Sequence, residues 1–371
     1  MATTGRAAAE RTDADALTAT LQESAFVHLV SHADGDAVAA AGLLVRALGS
    51  DTPFQVSVVR TRAAADRRIE STEGTAIALG VDASEADGVL TDESVALAAY
   101  DVANELGSPD ADLAIAGALA GGVVPHGPAL EAAEDVGLKR RPGVGIPTAD
   151  LADGLAHSRL FHAGFSGEER QAGAFLAELD LPADIDDSAR RTIASAVALD
   201  ATEPPAPSRA AEAIQGALRP HVLPDGPFET AEGYADVLDA LARTAPGLAI
   251  GLAMDRFDRT DVLTAWREHA RSVHEALRLA DRARHAGFVV LETTAGDAWT
   301  TARLARDFRS AEPTVLVVGD GEVALATTDA DAAALLETVV DVDAVGGGTA
   351  LASAETDLAN DDLVDALSEA R

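Results

Sequence analysis

The stretch from Ser31 to Leu44 constrains the fold most, because it places polar groups between a strand pattern and a helix pattern. The apolar run Phe26–Val30 is short and valine-rich, which is typical of a buried strand. The apolar stretch Ala37–Leu48 is followed by Gly49, a usual stop signal for a helix. A strand that leads into a helix is the unit of open α/β sheets, whose ligands collect at the carboxyl ends of the strands.

Three side chains of this stretch have metal-binding chemistry and stand at alternate positions: His32, Asp34 and Asp36. An imidazole beside hard carboxylate oxygens suits manganese, magnesium or zinc. The structural alternative is that Asp34 and Asp36 cap the following helix, because Asp is a preferred N-cap residue. One Asp would be explained in that way, whereas the His-x-Asp-x-Asp pattern favours a metal or phosphate site.

The charge balance is strongly acidic, with 62 acidic against 28 basic residues and a formal net charge of -34. Lys139 is the only lysine, and aromatic residues make up 4% of the chain. This pattern resembles proteins of salt-loving archaea, in which high salt screens the self-repulsion of an acidic surface. At low salt such a charge would argue against a nucleic-acid partner. In molar salt, a local arginine cluster is a better indicator of a nucleic-acid partner than the total charge.

Two absences restrict the class of protein. The sequence has no cysteine, which excludes disulfides, thiolate metal sites and cysteine nucleophiles. No run of 18 apolar residues occurs, and the N-terminus lacks a signal-peptide pattern. We therefore expect a soluble, cytoplasmic protein without a membrane partner.

Strand and helix patterns alternate, which predicts an α/β protein with a parallel sheet. The Pro204-Pro205-Ala206-Pro207 segment cannot continue a helix. It predicts a division into a domain at 16–200, a linker at 201–225 and a second domain at 226–371. Further strands are predicted at 54–60, 75–81, 247–254, 287–293, 313–318 and 323–327. Further helices are predicted at 93–107, 111–120, 229–245, 261–286, 299–309 and 330–340.

The Ser31–Leu44 stretch resembles the first motif of the DHH phosphoesterase superfamily, in its archaeal RecJ-like branch. Asp82, directly after the strand at 75–81, resembles the second motif. Other segments agree with that branch in the same order: 94–107, 112–122, 161–179, 230–254 and 345–354. The resemblance implies a DHH-type parallel sheet with flanking helices, plus a smaller DHH-associated C-terminal α/β domain.

Active members of this superfamily imply a site with two manganese or magnesium ions that hydrolyses a phosphodiester. Two such metals polarise the phosphate and activate a bridging water. By resemblance, His32, Asp34, Asp36 and Asp82 are the candidate metal ligands. If the protein is active, Asp34, Asp36 and Asp82 are its catalytic candidates.

Two groups of residues are candidates for binding phosphate or nucleic acid. Arg60 and Arg62 belong to an arginine cluster that follows a predicted strand and could grip phosphates. Gly346, Gly347 and Gly348 could cradle a phosphate through backbone amides, although three glycines are also an ordinary flexible turn. Further arginines between 267 and 309 are interleaved with acidic residues, so a salt-bridged surface is an equal alternative. The histidines at 269, 274 and 285 are expected in solvent.

Three departures from the superfamily pattern indicate a degenerate site. The superfamily has an Asp-His-His triplet at the end of the strand that follows the second motif. In this sequence no two histidines are adjacent, and the residues between Asp82 and the helix at 93–107 are too few for a further strand with its helix. Gly121-Gly122 stands where an Asp ligand is usual, and Thr349 where a histidine is usual. Losing ligands at three positions weakens metal binding and removes the charge that activates water.

Two functions remain open at this point. The first is a catalytically degenerate RecJ-like protein with a scaffolding role in replication or repair, bound near single-stranded DNA or RNA. Its analogue is the inactive RecJ-like subunit of the replicative helicase, which works with the GINS complex. The alternative is a manganese-dependent single-strand exonuclease or short-oligonucleotide phosphodiesterase. A weaker third possibility is a sensor that binds a nucleotide without cleaving it.

Overall fold

The computed structural model describes residues 12–48 and 52–370. The strands within these residues are β1 (Val27–His32), β2 (Phe54–Val59), β3 (Thr75–Leu79), β4 (Gly88–Leu90), β5 (Lys139–Arg140), β6 (His221–Val222), β7 (Asp281–His285), β8 (Phe288–Glu292), β9 (Thr314–Val318), β10 (Glu322–Thr327), β11 (Val345–Gly347) and β12 (Leu351–Glu355). The helices are α1 (Ala14–Glu23), α2 (Gly35–Leu48), α3 (Arg62–Glu70), α4 (Val95–Glu105), α5 (Ala111–Ala120), α6 (Gly127–Asp135), α7 (Leu151–His157), α8 (Glu169–Ala177), α9 (Asp187–Thr202), α10 (Ala210–Ala213), α11 (Ala231–Thr244), α12 (Pro246–Ala253), α13 (Arg259–Leu279), α14 (Ala298–Phe308), α15 (Ala332–Glu337) and α16 (Asn360–Ala370).

The N-terminal half is built on a four-stranded parallel sheet of order β2-β1-β3-β4. All six residues of β1 are buried, because β1 has a neighbour on each side and helices on both faces. Leu29 and Ile77 pack on the face covered by α2, α4 and α5. Val30 and Ala78 pack on the opposite face, against α3. The predicted α/β class and its parallel sheet are confirmed.

Small residues let the helices around α2 approach closely. A Cβ atom on Gly42 would lie 2.5 Å from the Cβ of Ala253 in α12. A Cβ atom on Gly117 would lie 2.4 Å from the Cβ of Ala96 in α4. The alanine and glycine content of α2, α4 and α5 is therefore a packing requirement, since any larger side chain at these crossings would separate the helices.

The C-terminal part contains a separate six-stranded sheet of order β11-β12-β10-β9-β8-β7. Only the β8–β9 pair is parallel among these strands. Helix α14 packs on one face of the sheet, and α15 and α16 pack on the other. The β9–β10 hairpin turns at Gly321, whose φ of 74° lies in the left-handed region that a tight Asp-Gly hairpin turn uses.

Two secondary-structure predictions are wrong. The segment predicted as a strand at 247–254 is helix α12, which begins at Pro246 and packs on α2. A short apolar run does not distinguish a buried strand from a buried helix. The helix predicted at 261–286 ends at Leu279, because Gly287 (φ 89°) allows β7 and β8 to form a hairpin.

The prediction of solvated histidines is wrong for His269 and His274, which are 5% and 0% exposed. His274 lies in a hydrogen-bonded chain with His162. Arg309 donates from Nη2 to Nε2 of His162 (2.7 Å), so the Nδ1 atom of His162 carries the proton and donates to Nδ1 of His274 (2.9 Å). Nε2 of His274 then donates to the carbonyl oxygen of Ser158 (3.0 Å). This chain requires both rings to be neutral.

The division at 201–225 stays a prediction. Helix α11 packs on α2 and α5, and α12 packs on α2, so both share the core of the parallel sheet. No helix in the described ranges has the length and apolar character that crossing a membrane requires.

The His162–His274 chain predicts a loss of stability in acid. Burial lowers the pKa of His274 to about 3 and the pKa of His162 well below its usual value. Unfolded histidine takes up a proton near pH 6.5, so between that pH and about 3 the unfolded state binds more protons. For His274, the free energy of unfolding should therefore fall by about 2 kcal/mol between pH 7 and pH 5, and the lowered pKa of His162 adds a fall in the same direction.

Urea unfolding over that pH range tests this expectation. The double variant His162→Gln, His274→Gln should show a shallower fall in stability than the native chain. The exposed His126→Gln change should leave the slope as it is. Equal slopes for the native chain and the double variant would show that the pair is not neutral in the folded state.

Candidate functional site

A cleft of about 590 Å³ lies between the carboxyl ends of the parallel strands and the C-terminal sheet domain. The N-terminal half contributes His32, Asp34, Asp36 and the ends of β3, β4 and α5. The C-terminal part contributes Trp299, Gly347 and Gly348. The first motif and most of the glycine loop therefore meet at one place, where open α/β sheets hold their ligands.

Asp34 is the N-cap of α2. Its Oδ1 atom accepts the backbone N–H of Ala37 (2.8 Å), and its Oδ2 atom lies 2.5 Å from Nδ1 of His32. Burial alone would raise the pKa of Asp34, but the His32 contact, the Ala37 amide and the charge of Arg243 outweigh it and lower that pKa. Nε2 of His32 is buried and has no hydrogen-bond partner among the described residues.

Asp36 caps a different helix from the one that contains it. Its Oδ2 atom accepts the backbone N–H of Val95 (2.7 Å), and its Oδ1 atom accepts the N–H of Ala96 (2.9 Å) and the hydroxyl of Ser94 (3.0 Å). The side chain thus satisfies donors at the N-terminus of α4. Burial, followed by the charge of Asp34, raises the pKa of Asp36 to about 7 despite these bonds.

Asp82 lies outside the residues that line the cleft. Its Oδ2 atom accepts a hydrogen bond from Nη2 of Arg62 (2.8 Å), and both side chains are partly exposed. This ion pair joins a candidate metal ligand to a candidate phosphate-binding residue. The second motif is therefore not brought into one cluster with the first.

Strand β4 ends at the cleft and is not among the strands predicted from the sequence. A parallel strand is present after Asp82, but it has only three residues and no helix precedes it. It is followed by Thr91, Asp92 and Glu93, which line the cleft where the superfamily triplet was expected. The apolar run Gly88–Leu90 was the available signal, and it was too short to predict a strand.

Gly121 packs directly on the Asp36 carboxylate. A Cβ atom there would lie 3.0 Å from Oδ2 of Asp36 and 3.2 Å from its Cγ. The usual Asp at this place would bring a second carboxylate against a buried one, which like-charge repulsion disfavours. The glycine therefore fits the use of Asp36 as a cap.

Close contacts explain two of the three glycines of the glycine loop, Gly346 and Gly347. A Cβ atom on Gly346 would lie 1.8 Å from the carbonyl oxygen of Arg60 and 3.4 Å from Nε2 of His32. Gly347 has a φ of 107° and leaves no room for a Cβ atom beside Trp299 (2.8 Å). The backbone of β11 thus closes against the end of β2, so the alternative of an ordinary flexible turn is not what the structure has.

Arg60 connects the two halves of the chain. Its Nη2 atom donates to the carbonyl oxygen of Arg243 (2.7 Å), and Nη1 lies 3.4 Å from Oε2 of Glu322. Arg243 itself is buried and pairs with Asp297 (3.2 Å) and Glu322 (2.5 Å). Its guanidinium lies over the ring of Trp299, 4.9 Å from the centroid, and this ring also contacts His32.

This network was not among the residues that the sequence analysis singled out. Arg243 lies in α11, which also contains Glu232, Asp236 and Asp239, so the local sequence does not mark it. Asp297, at the start of α14, gives no signal beyond that of an ordinary N-cap.

The arginines of the cleft are also engaged. Arg303 donates from Nη2 to the carbonyl oxygen of Arg159 (2.9 Å), and Arg306 donates to the carbonyl oxygen of Ala350 (2.9 Å). Arg159 is buried and pairs with Asp236 and Asp239. Acidic side chains outnumber basic ones along the walls of the cleft, so the cleft attracts cations more than phosphates.

The side chains do not fit the two-metal centre that the superfamily implies. Among residues 12–48 and 52–370, no three His, Asp or Glu side chains are placed to hold one ion. The side chains of His32 and Asp34 contact each other. The Asp36 carboxylate is bonded to the N-terminus of α4, and the Asp82 carboxylate to Arg62. A two-metal centre needs donors that converge on a shared volume.

Comparison with known proteins gives one relative of the full chain. The sequence is 47% identical to "Uncharacterized protein rrnAC1427" of Haloarcula marismortui over an alignment of 379 positions, which covers 100% of both chains. The family described as "Uncharacterized protein rrnAC1427, C-terminal domain" matches residues 280–369.

Solved structures with related folds are more distant. CDC45 from Entamoeba histolytica superposes with a TM-score of 0.57 at 10% identity, covering 96% of this chain and 97% of that chain. RecJ from Thermus thermophilus in complex with Mn2+ gives a TM-score of 0.43 at 17% identity, covering 96% of this chain and 54% of that chain. The first of these similarities extends over both halves of the molecule and concerns the fold alone.

Because Asp36 caps α4, we expect that removing its side chain destabilises the protein even when no metal is present. We expect Asp36→Ala to lower the free energy of unfolding by about 2–3 kcal/mol, because it leaves buried donors of α4 unsatisfied. Asp82→Ala is the matched control, since it breaks a partly exposed ion pair worth about 0–1 kcal/mol.

Both variants would be unfolded in urea with EDTA present. Equal stabilities of Asp36→Ala and the native chain would contradict the capping role. A destabilisation that appears only after manganese is added would point to a ligand instead.

Proposed function

The chain belongs to the family of rrnAC1427 and has a RecJ-like DHH superfamily fold, and on this premise we propose that it is a non-catalytic scaffold in DNA replication or repair. In this role it binds a helicase-associated protein assembly, of which GINS is the candidate component. It lies near single-stranded nucleic acid and does not hydrolyse it.

The observation that supports this proposal most is the three-bond cap that Asp36 provides to α4. A carboxylate that leaves these donors to bind a metal would leave them buried and unpaired, at a total cost of about 2–3 kcal/mol, as for Asp36→Ala. The Asp82–Arg62 pair adds a second candidate ligand that is already engaged. On this proposal, the carboxylates of the two motifs form structural hydrogen bonds instead of binding metal.

The charge distribution supports a nucleic-acid contact outside the cleft. The walls of the cleft are mainly acidic, and its arginines donate to backbone carbonyls. On α3, Arg67 and Arg68 are exposed, and neither forms an ion pair with the described residues. Phosphates of a single strand would meet free guanidinium groups there.

One observation favours the second candidate, a manganese-dependent nuclease or phosphodiesterase. Nε2 of His32 is buried, lacks a partner among the described residues, and belongs to a side chain that lines the cleft beside Asp34. A metal-binding histidine needs one such free nitrogen, with the other held by a carboxylate. In this candidate, His32 and Asp34 would be the first two ligands.

An assay with labelled single-stranded DNA and short RNA in molar KCl with manganese separates the candidates. We expect no turnover above that of the Asp34→Ala variant, because two metals are needed to activate water and stabilise the leaving oxygen. Robust turnover that disappears in Asp34→Ala would overturn the scaffold proposal.

Co-purification tests the scaffold itself. The native chain and Asp34→Ala should both retain GINS or helicase subunits through washes in molar KCl. Absence of these subunits from both samples would contradict the partner assignment.

A further inference from the structure

A second cavity lies away from the cleft, beside the N-terminus of α11. It has a volume of about 130 Å³ and is enclosed by the loop at 141–149, by α7 and α9, and by the start of α11. Its walls are aliphatic over most of their area and are formed by Val144, Ile146, Leu151, Leu155, Ile185 and Ile193. Such a cavity with a few convergent polar groups is the usual form of a small-molecule site.

Two arginines face this cavity, Arg141 and Arg190. Within the part of the chain that the structure describes, neither guanidinium forms a hydrogen bond or ion pair. By contrast, Arg159, Arg243 and Arg267 pair with carboxylates. Burial, followed by the charge of Arg141, lowers the pKa of Arg190. A bound anion would relieve this repulsion.

The remaining polar groups of the cavity are already used. The Thr148 hydroxyl donates to the carbonyl oxygen of Asp150 (3.0 Å), and the Thr230 hydroxyl donates to that of Ile146 (2.9 Å). Recognition of a ligand is therefore left to the two guanidinium groups. Glu229 stands at the cavity and, together with Asp187, partly offsets the positive charge, which favours a single negative charge over phosphate.

The volume limits the ligand to a few carbon atoms. An apolar cavity of about 150 Å³ holds a molecule as large as benzene. The cavity at Arg141 and Arg190 is slightly smaller but opens to solvent on the arginine side. A nucleic-acid strand or a folded peptide does not fit into it.

We propose that this cavity binds a short, branched aliphatic monocarboxylate, with the carboxylate between Arg141 and Arg190 and the chain against Ile146 and Ile193. The two arginines supply charge-assisted hydrogen bonds, and the aliphatic wall removes the chain from water. This site is independent of the proposed scaffold role, since it shares no residue with the cleft.

Calorimetric titration with isovalerate in buffered KCl tests the proposal, with thermal unfolding as a second measurement. We expect saturable binding at one site and a rise in Tm of about 3 °C at a hundredfold excess over Kd. Arg190→Gln should weaken binding about tenfold or more, because it removes one charged donor. Arg191→Gln is the matched control, since this neighbouring arginine is exposed and does not line the cavity.

Two further ligands separate the contribution of the carboxylate from that of the aliphatic chain. Isoamyl alcohol carries the chain without the carboxylate, and phosphate carries charge without the chain, so each should bind at least about tenfold more weakly. Glu229→Gln should strengthen isovalerate binding, because it removes a competing carboxylate. Equal binding by native chain and Arg190→Gln, equal binding of phosphate, or no binding of isovalerate would each overturn the proposal.

Discussion

The bond between the Asp36 carboxylate and the N-terminus of α4 is the interaction on which the rest of the site depends. It fixes α4 against the first turn of α2 and is buried, with Asp36 only 5% exposed. Gly121 can approach because it has no side chain, and the end of α5 closes the cleft. The Asp36 side chain thereby joins the first turn of α2 to the N-terminus of α4.

The two halves of the chain are joined by a second set of buried charges. Arg243, Asp297 and Glu322 pair beneath the ring of Trp299, and Arg60 extends the set to β2. Because removing one partner would leave a buried charge unpaired, this set holds the C-terminal sheet at a fixed distance from the parallel sheet. The glycine of β11 at position 346 then meets the Arg60 carbonyl directly.

The strand–loop–helix unit of β1 and α2 could be predicted from the sequence, because both elements have the apolar composition and the boundary residues of a buried α/β unit. The sequence could not reveal that Asp36 caps α4, because the two segments are far apart in the sequence and no local spacing of residues marks a cap between them. Strand β4 has only three residues, which is too short a pattern to predict a strand. Helix α12 is a short apolar run that fits the two-residue period of a strand as well as the 3.6-residue period of a helix. His274 lies among charged residues along the chain, but its face of α13 is covered by other helices.

The central claim is that the motif carboxylates are structural bonds and not metal ligands. Anomalous diffraction at the manganese edge, from crystals grown with manganese chloride, tests it most directly. We predict no manganese peak among His32, Asp34 and Asp36, with both Asp36 oxygens still on the N–H groups of α4. Two peaks a few ångströms apart, with Asp36 and Asp82 turned towards them, would contradict the account.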